Sequence, residues 1–575
     1  MGILFQILIL LEIYYVSGQK QPHIIFTVAD DLGWNDVSWH NPKIFTPHLE
    51  ELAREAVILN QSYVQPVCTP SRTAFMTGYY PYRIGRQNHV LNPLVPTGVP
   101  LRFTFLPEKL KEVGYSTHLI GKWHLGFCNL SYTPTRRGFD SFFGFYNGAL
   151  DYFSHTRSAK QRSPNAKWNE ADEEIGFDFR NNTKLSRKYN GKYSTILLAE
   201  KAKELISSHS LDEPLYLFLS FQAVHSPLQV PKVYEDIYHH IKDEKRRKYS
   251  GMVTAMDAAI GIVVEALKEK GFWDNSIFVF TTDNGGQTLA GGNNWPLRGN
   301  KGTLWEGGTR AVTFVHGPQL KKGYVNDKLF HAVDWFPTLL HAAGAESVPD
   351  IDGVDQWNVI SEDAEAVRNE IVYNIYDSDS PRAAIRIDNY KLIEGFPGKP
   401  SDWIAPEDGS LIRSVHCRLK KNDTLENATE FLRLYDLEKD PLERYNIAKS
   451  FPWIVEKLKS RIEDLKVNMV PADDPPPDER ENLVPIKCSF NFGKKEAIIG
   501  HHEAIRRKSP GMLRDGVILL HDNTHIALKT QELLQKFKWE VWSHPPYIPD
   551  LAPNLGSKHL SGIRFSSDND VKAAV

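Results

Sequence analysis

His23-Ile24-Ile25-Phe26-Thr27-Val28-Ala29, followed at once by Asp30-Asp31, is a nearly continuous apolar run that ends in two acids. A run this short, without polar alternation, suits a strand buried on both faces, as in the interior of a parallel sheet. The pattern returns far along the chain as Ser276-Ile277-Phe278-Val279-Phe280-Thr281-Thr282, before Asp283-Asn284-Gly285-Gly286. A third such run, 215–222, leads into Ala223-Val224-His225-Ser226-Pro227. Helical patterns lie between them, at 199–209 and at 246–270, the latter carrying Met252, Ala255, Ile260, Val263 and Leu267. Strands alternating with helices predict an α/β fold: a large mixed, mainly parallel sheet flanked by helices, with ligands bound beyond the carboxyl ends of the strands.

After Ile351-Asp352-Gly353 the strands shorten, as at 383–387 and 390–393, and Leu434-Tyr435-Asp436-Leu437 precedes a helical pattern at 453–465. This predicts a first domain over 19–355 and a smaller C-terminal α+β subdomain over 356–490. Residues 471–477, rich in proline, read as an extended surface segment that ends the folded part.

The chain has 575 residues, 41% of them hydrophobic, with 68 basic against 71 acidic residues and a formal net charge of −3. That length supports a large core and more than one domain. The balanced charge gives no global pull toward nucleic acid or an anionic membrane, so any anionic substrate needs a local cluster of cations. Residues 1–18 hold an apolar run followed by Ser17-Gly18 and polar residues, which reads as a signal peptide and places the protein in the secretory pathway. No other stretch reads as long and apolar enough to span a bilayer. Asn-x-Ser/Thr triplets at Asn60, Asn129, Asn181, Asn422 and Asn427 fit export. The four cysteines are Cys68, Cys128, Cys417 and Cys488, and spacing alone leaves their pairing open.

Two acidic pairs, Asp30/Asp31 and Asp283/Asn284, each follow a predicted buried strand, so both fall at one edge of the same sheet. Oxygen donors without His or Cys among them suit a hard divalent cation, Ca²⁺ or Mg²⁺, over Zn²⁺.

A further motif is Cys68-Thr69-Pro70-Ser71-Arg72, continued by Thr77-Gly78. On composition an exported cysteine beside a proline reads first as half a disulfide. The full motif resembles the signature of the sulfatase family, and the resemblance continues through Gly121-Lys122-Trp123-His124-Leu125-Gly126, His225, and Lys301 ahead of Trp305-Glu306-Gly307-Gly308-Thr309-Arg310. Among sulfatases the chain is most similar to the arylsulfatase B (N-acetylgalactosamine-4-sulfatase) group. That likeness is carried by Pro134-Thr135-Arg136-Arg137-Gly138-Phe139-Asp140, Asp334-Trp335-Phe336-Pro337-Thr338-Leu339 and the run from Tyr435 to Arg444, and extends from about His23 to about Pro471. Cys128 lies upstream of the place where that group has its cysteine, and Tyr132-Thr133 stands there instead.

The resemblance implies an alkaline-phosphatase-like sulfatase fold. It implies that Cys68 is oxidised to Cα-formylglycine by the formylglycine-generating enzyme during export, and that the hydrated aldehyde is the nucleophile. Asp30, Asp31, Asp283 and Asn284, with residue 68, would hold one Ca²⁺. Arg72 and Lys122 would pin the diol, His124 would be the base that releases sulfate, and Lys301 and His225 would bind sulfate oxygens and protonate the leaving oxygen. The implied substrates are sulfated glycosaminoglycans with N-acetylgalactosamine 4-sulfate, or small sulfate esters, and the implied location is lysosomal or extracellular. Rival readings are a phosphatase or phosphonate hydrolase of the same superfamily, and an inactive relative that binds sulfated glycans.

From about Glu503 the sequence changes kind. The run Ile505 to Asn523 and the segments around His544-Pro545-Pro546-Tyr547 and Lys558-His559-Leu560-Ser561-Gly562 resemble a mariner-type transposase. Of the three carboxylates such an enzyme needs, only Asp522 has a counterpart, so 500–575 is expected to be a non-functional fragment that binds no nucleic acid.

Overall fold

The computed structural model describes residues 20–93, 95–160, 173–318, 320–376, 382–399, 401–405 and 431–473, all within one compact unit, Met1–Pro485. The signal segment 1–18, Cys417, Cys488, Asn422, Asn427 and the transposase-like 500–575 lie outside the described residues.

The predicted strands His23–Ala29 and Ser276–Thr282 lie side by side in parallel, and Leu215–Ser220 flanks the first on its other edge. Ser116–Lys122 and Ser141–Phe145 extend the parallel run. Shorter strands, mostly antiparallel, close both edges of this ten-stranded sheet: Phe314–His316, Val57–Leu59 and Tyr324–Asn326 on one side, Arg180–Asn181 and Lys184–Leu185 on the other. Side chains alternate between the faces of a strand, and here both faces are covered. Ile24, Phe26 and Val28 meet Phe75, Trp335 and Leu339 on one side. Ile25 and Ala29 meet Leu198, Met252 and Val253 on the other. That double burial is why the sequence reads as continuously apolar.

The long helix, Glu244–Lys270, starts where the Asp243 side chain accepts a hydrogen bond from the Arg246 amide at 2.8 Å and ends at Gly271, whose φ of 77° suits glycine. By length and composition it is apolar enough to cross a membrane, contrary to the sequence expectation that no such stretch follows the signal. Its apolar window is 83% buried against the sheet and the helix Ser194–Ser208, as a core helix requires.

The C-terminal sheet is antiparallel, in the order Glu370–Tyr376, Arg382–Ile387, Tyr390–Glu394, Leu432–Asp436, with the helix Pro452–Lys466 against it. Its inner face meets the main domain at a buried charge cluster. Lys391 sits 2.9 Å from Glu306 and 2.7 Å from Glu443, while Tyr63 and Tyr373 both donate to Glu306 at 2.8 Å. The segment beginning at Pro471 lies at the surface as read, with Pro471 and Asp473 exposed, and it is tied down at its start: the amides of Val470 and Asp473 donate to the carbonyls of Tyr82 and Gly85.

Candidate active site

Every predicted site residue on a strand connection leaves the same edge of the sheet. Asp30 and Asp31 follow Ala29, Asp283 and Asn284 follow Thr282, His225 follows Ser220, and Lys122 and His124 close and follow the strand Ser116–Lys122. Gly121 is required there: a Cβ would come 1.8 Å from the Ser220 carbonyl oxygen, and its φ is 115°.

Cys68 opens the helix Cys68–Thr77, which ends on Gly78 in the left-handed region. Pro70 falls in the first turn, where an amide is not needed, and Arg72 follows Cys68 by one helical turn, so the two side chains share a face. Arg72 donates to Asp283 through Nε at 2.9 Å, to Ser220 Oγ at 2.5 Å and to the Lys122 carbonyl at 3.4 Å.

Each carboxylate has a cation beside it. Lys122 Nζ lies 2.6 Å from Asp30 Oδ2, Lys301 Nζ lies 2.7 Å from Asp31 Oδ1, and Arg72 NH2 lies 2.8 Å from Asp283 Oδ2. Asn284 donates to Asp31 at 2.8 Å, and the Cys68 thiol donates to Asp30 at 3.5 Å. Burial, with repulsion from Asp283, raises the Asp30 carboxyl. Burial alone would raise Asp31 too, but Lys301 and then His225 outweigh it and hold this carboxyl low. The Cys68 thiol is pushed up to about 12 by burial and by Asp283 and Asp30, so at neutral pH it is not a thiolate nucleophile.

Burial, Lys122 and Arg72 hold His124 well below the usual imidazole range. Its Nε2 lies 3.0 Å from the Leu91 carbonyl, which can only accept, so Nε2 carries the proton. Nδ1 is then the bare nitrogen, and it is buried without a partner. His225 is lowered by burial and by Lys301. Its Nδ1–H donates to the Ser226 carbonyl at 2.5 Å, leaving Nε2 facing Asp31 Oδ2 at 3.8 Å. Tyr152 fixes this turn by donating its hydroxyl to the His225 carbonyl at 2.7 Å.

The ligand atoms of Asp30, Asp31, Cys68 and His225 all lie within 4.8 Å of one another. Asn284 Oδ1 is buried with no hydrogen-bond partner, which a cation would relieve. Oxygen donors predominate, and His225 is the one imidazole of the group, so the residues fit a hard divalent ion better than zinc. His225 was not read as a member of this cluster, nor were Ser220, the Leu91 carbonyl or Tyr152 read as supports. They carry no motif of their own and meet the site only through the fold.

A family model, Sulfatase, matches residues 22–345. The chain belongs to the sulfatase family. It is 42% identical over 488 residues to arylsulfatase J of Mus musculus, covering 81% of this chain and 79% of that one. It is 30% identical over 369 residues to N-acetylgalactosamine-6-sulfatase of Mus musculus, covering 61% of this chain and 68% of that one. Among solved structures, the crystal structure of Ps i-CgsB in complex with k-i-k-neocarrahexaose aligns with a TM-score of 0.65 at 28% identity, over 79% of this chain and 94% of that one. This sulfatase therefore has the expected fold and is a sulfuric ester hydrolase, and the residues gathered beyond these strands lie where open α/β sheets bind their ligands.

Proposed function

We propose that this sulfatase removes sulfate from N-acetylgalactosamine 4-sulfate units of glycosaminoglycans such as dermatan or chondroitin sulfate, through Cα-formylglycine formed from Cys68 beside one Ca²⁺. The observation that supports it most is the buried Cys68 thiol. It is useless as a thiolate, yet stands at a helix start among Asp30, Arg72, Lys122 and Lys301. The 4-sulfate assignment rests on the likeness to the N-acetylgalactosamine-4-sulfatase group, and the relative named N-acetylgalactosamine-6-sulfatase supports the sugar alone.

Asp30, Asp31, Asp283 and Asn284, with residue 68, would hold the ion. When present, Ca²⁺ withdraws charge from the sulfate oxygens, and the hydrated aldehyde of residue 68 supplies the attacking hydroxyl. Lys122 and Arg72 orient that hydroxyl and stabilise developing negative charge. Lys301, kept protonated by Asp31 despite its burial, binds a sulfate oxygen and is the first candidate to protonate the leaving oxygen. With its Nδ1–H committed to Ser226, His225 donates from Nε2 only as imidazolium, a state that a bound sulfate favours. His124 takes the remaining hydroxyl proton at Nδ1 and so releases sulfate.

Formation of formylglycine requires the formylglycine-generating enzyme during export, so the protein belongs to the secretory pathway, in a lysosome or outside the cell. A two-zinc phosphatase would need several imidazoles at the cation site, and among the described residues only His225 joins that group.

Mass spectrometry of the peptide containing residue 68, from protein made in exporting cells, should find the thiol exchanged for an aldehyde or its hydrate. The same protein should release sulfate from chondroitin 4-sulfate oligosaccharides, lose that activity in EGTA and regain it with Ca²⁺. Only unmodified thiol in otherwise active protein would end the formylglycine reading, and preference for a different sulfated sugar would end the substrate reading.

A further inference from the structure

We propose that Asp473, at the end of the C-terminal subdomain, is a positioning residue for His124. The inference rests on His124 being the base of the reading above. Residues Val470 to Asp473 form a strap over the stretch beginning at Tyr82. Val470 N donates to the Tyr82 carbonyl at 2.8 Å, Asp473 N to the Gly85 carbonyl at 3.0 Å, and Gln87 Nε2 to the Val470 carbonyl at 3.0 Å. The strap lies so close that a Cβ on Gly85 would come 2.9 Å from the Pro471 carbonyl oxygen.

At its end, Asp473 makes the knot. Its Oδ2 accepts from Arg86 NH2 at 2.6 Å and from the Thr97 hydroxyl, and its carbonyl accepts from Arg86 NH1 at 2.6 Å. The Arg86 guanidinium is buried and also donates to Thr97 Oγ1 at 2.5 Å and to the Gly98 carbonyl. One carboxylate thus ties together two points, Arg86 and Thr97-Gly98, between which the chain runs through Leu91.

Both of those points lead to His124. Leu91 accepts from His124 Nε2 and donates its amide to Thr69 Oγ1 at 3.1 Å, and that hydroxyl donates to the His124 carbonyl at 3.1 Å. On the other side, Gly98 pairs with Gly126, and Val99 donates to the Leu125 carbonyl at 3.0 Å. His124 holds a left-handed backbone with φ 59°, which is uncommon for a residue with a side chain and needs its surroundings to hold it. The Leu91 carbonyl decides which imidazole nitrogen carries the proton. Loosening the knot frees that carbonyl to move and lets the bare nitrogen shift from Nδ1 to Nε2. Lys301, which binds sulfate in the reading above, hangs from another element and stays in place, and Lys122 stays held by its ion pair with Asp30.

The test is steady-state kinetics of D473A, D473N, T97V and H124Q in the full chain, on a small aryl sulfate and with inorganic sulfate as competitive inhibitor. D473A should lower kcat about tenfold and KM in step with it, leaving kcat/KM and sulfate inhibition within about twofold, because a base that acts after the alcohol has left slows only the second step and general-base catalysis is worth a factor of about 10² or more. D473N keeps an acceptor oxygen for Thr97 and Arg86 and should restore most of kcat, and T97V should fall between them. The inference is overturned if D473A turns over like the parent while H124Q is dead, or if kcat, KM and sulfate inhibition worsen together in D473A. If D473A does not fold, T97V at the parental kcat overturns it. An active H124Q removes the base assignment and this inference with it.

Discussion

Replacing Gly148 by alanine tests how finely the imidazole of His124 is held. A Cβ at Gly148 would lie 2.6 Å from His124 Cε1, 2.7 Å from Nε2 and 3.1 Å from Nδ1. Non-bonded carbons settle near 3.5–4.0 Å, so the ring must retreat by about 1 Å. Gly148 has no left-handed φ, so alanine suits its backbone. The three nearest atoms all belong to that ring, and the bond most exposed to loss is Nε2 to the Leu91 carbonyl at 3.0 Å. Losing that bond costs about 1 kcal/mol of stability, whereas a catalytic group displaced by about 1 Å costs up to about 10²-fold in rate. G148A should therefore melt close to the parent and lower kcat on an aryl sulfate by about 10- to 100-fold, with KM falling alongside it and kcat/KM little changed, because the ring acts only after the alcohol has left and Lys122, Lys301 and the acids are untouched. A kcat within twofold of the parent would show that the ring has slack and that its confinement by Gly148 is not functional.

K391M leaves Glu306 and Glu443 buried without their shared cation, and should cost about 3–5 kcal/mol in a denaturant titration; an unchanged midpoint would count against the cluster as the joint between the sheets. His23, His40 and His118 are each lowered to about 4, chiefly by burial. The unfolded chain then binds more protons than the folded one between pH 4 and 6.5, so stability falls as pH drops through that window, by about 1–2 kcal/mol per histidine after allowance for solvent. H118Q should flatten the pH dependence of the melting temperature there, and an unaltered slope would refute the assignment. Removing residues 500–575 should leave sulfatase activity and melting unchanged, since the knot at Asp473 is retained; loss of folding would show that the transposase-like segment contributes to the fold.

The parts of this protein legible in its sequence are those whose signal is local. His23–Ala29 and Ser276–Thr282 read correctly because two covered faces leave no room for polar alternation, and the acids that follow them fall together because the two strands are parallel neighbours. Cys68 and Arg72 are readable as a pair because the run Cys68-Thr69-Pro70-Ser71-Arg72 resembles the sulfatase signature; the helix that sets one turn between them is visible only in the structure. Tertiary convergence is what hides the rest. Leu91 contributes a backbone carbonyl, Gly148 an absence of side chain, and Tyr152 a hydroxyl from a loop, none of which has a pattern along the chain. Lys391, Glu306 and Glu443 look like surface charges until two sheets close over them. The long helix passes a composition test for a membrane span, since a core helix between a sheet and another helix needs the same residues. Asp473 lies in a proline-rich stretch whose composition says extended and gives no hint of what it holds.

The pairing of carboxylates with cations at the sheet edge has a thermodynamic consequence. Asp30, Asp31 and Asp283 face Lys122, Lys301 and Arg72 one for one, so the site as it stands is close to neutral and attracts neither ion strongly. A divalent cation settling among the acids loosens their hold on the lysines and the arginine and turns those cations toward an anion. A sulfate ester settling among the lysines does the reverse for the metal. Under the proposed function, binding of the two ligands is then heterotropically linked, and the factor by which calcium would tighten the substrate is also the factor by which substrate would tighten calcium.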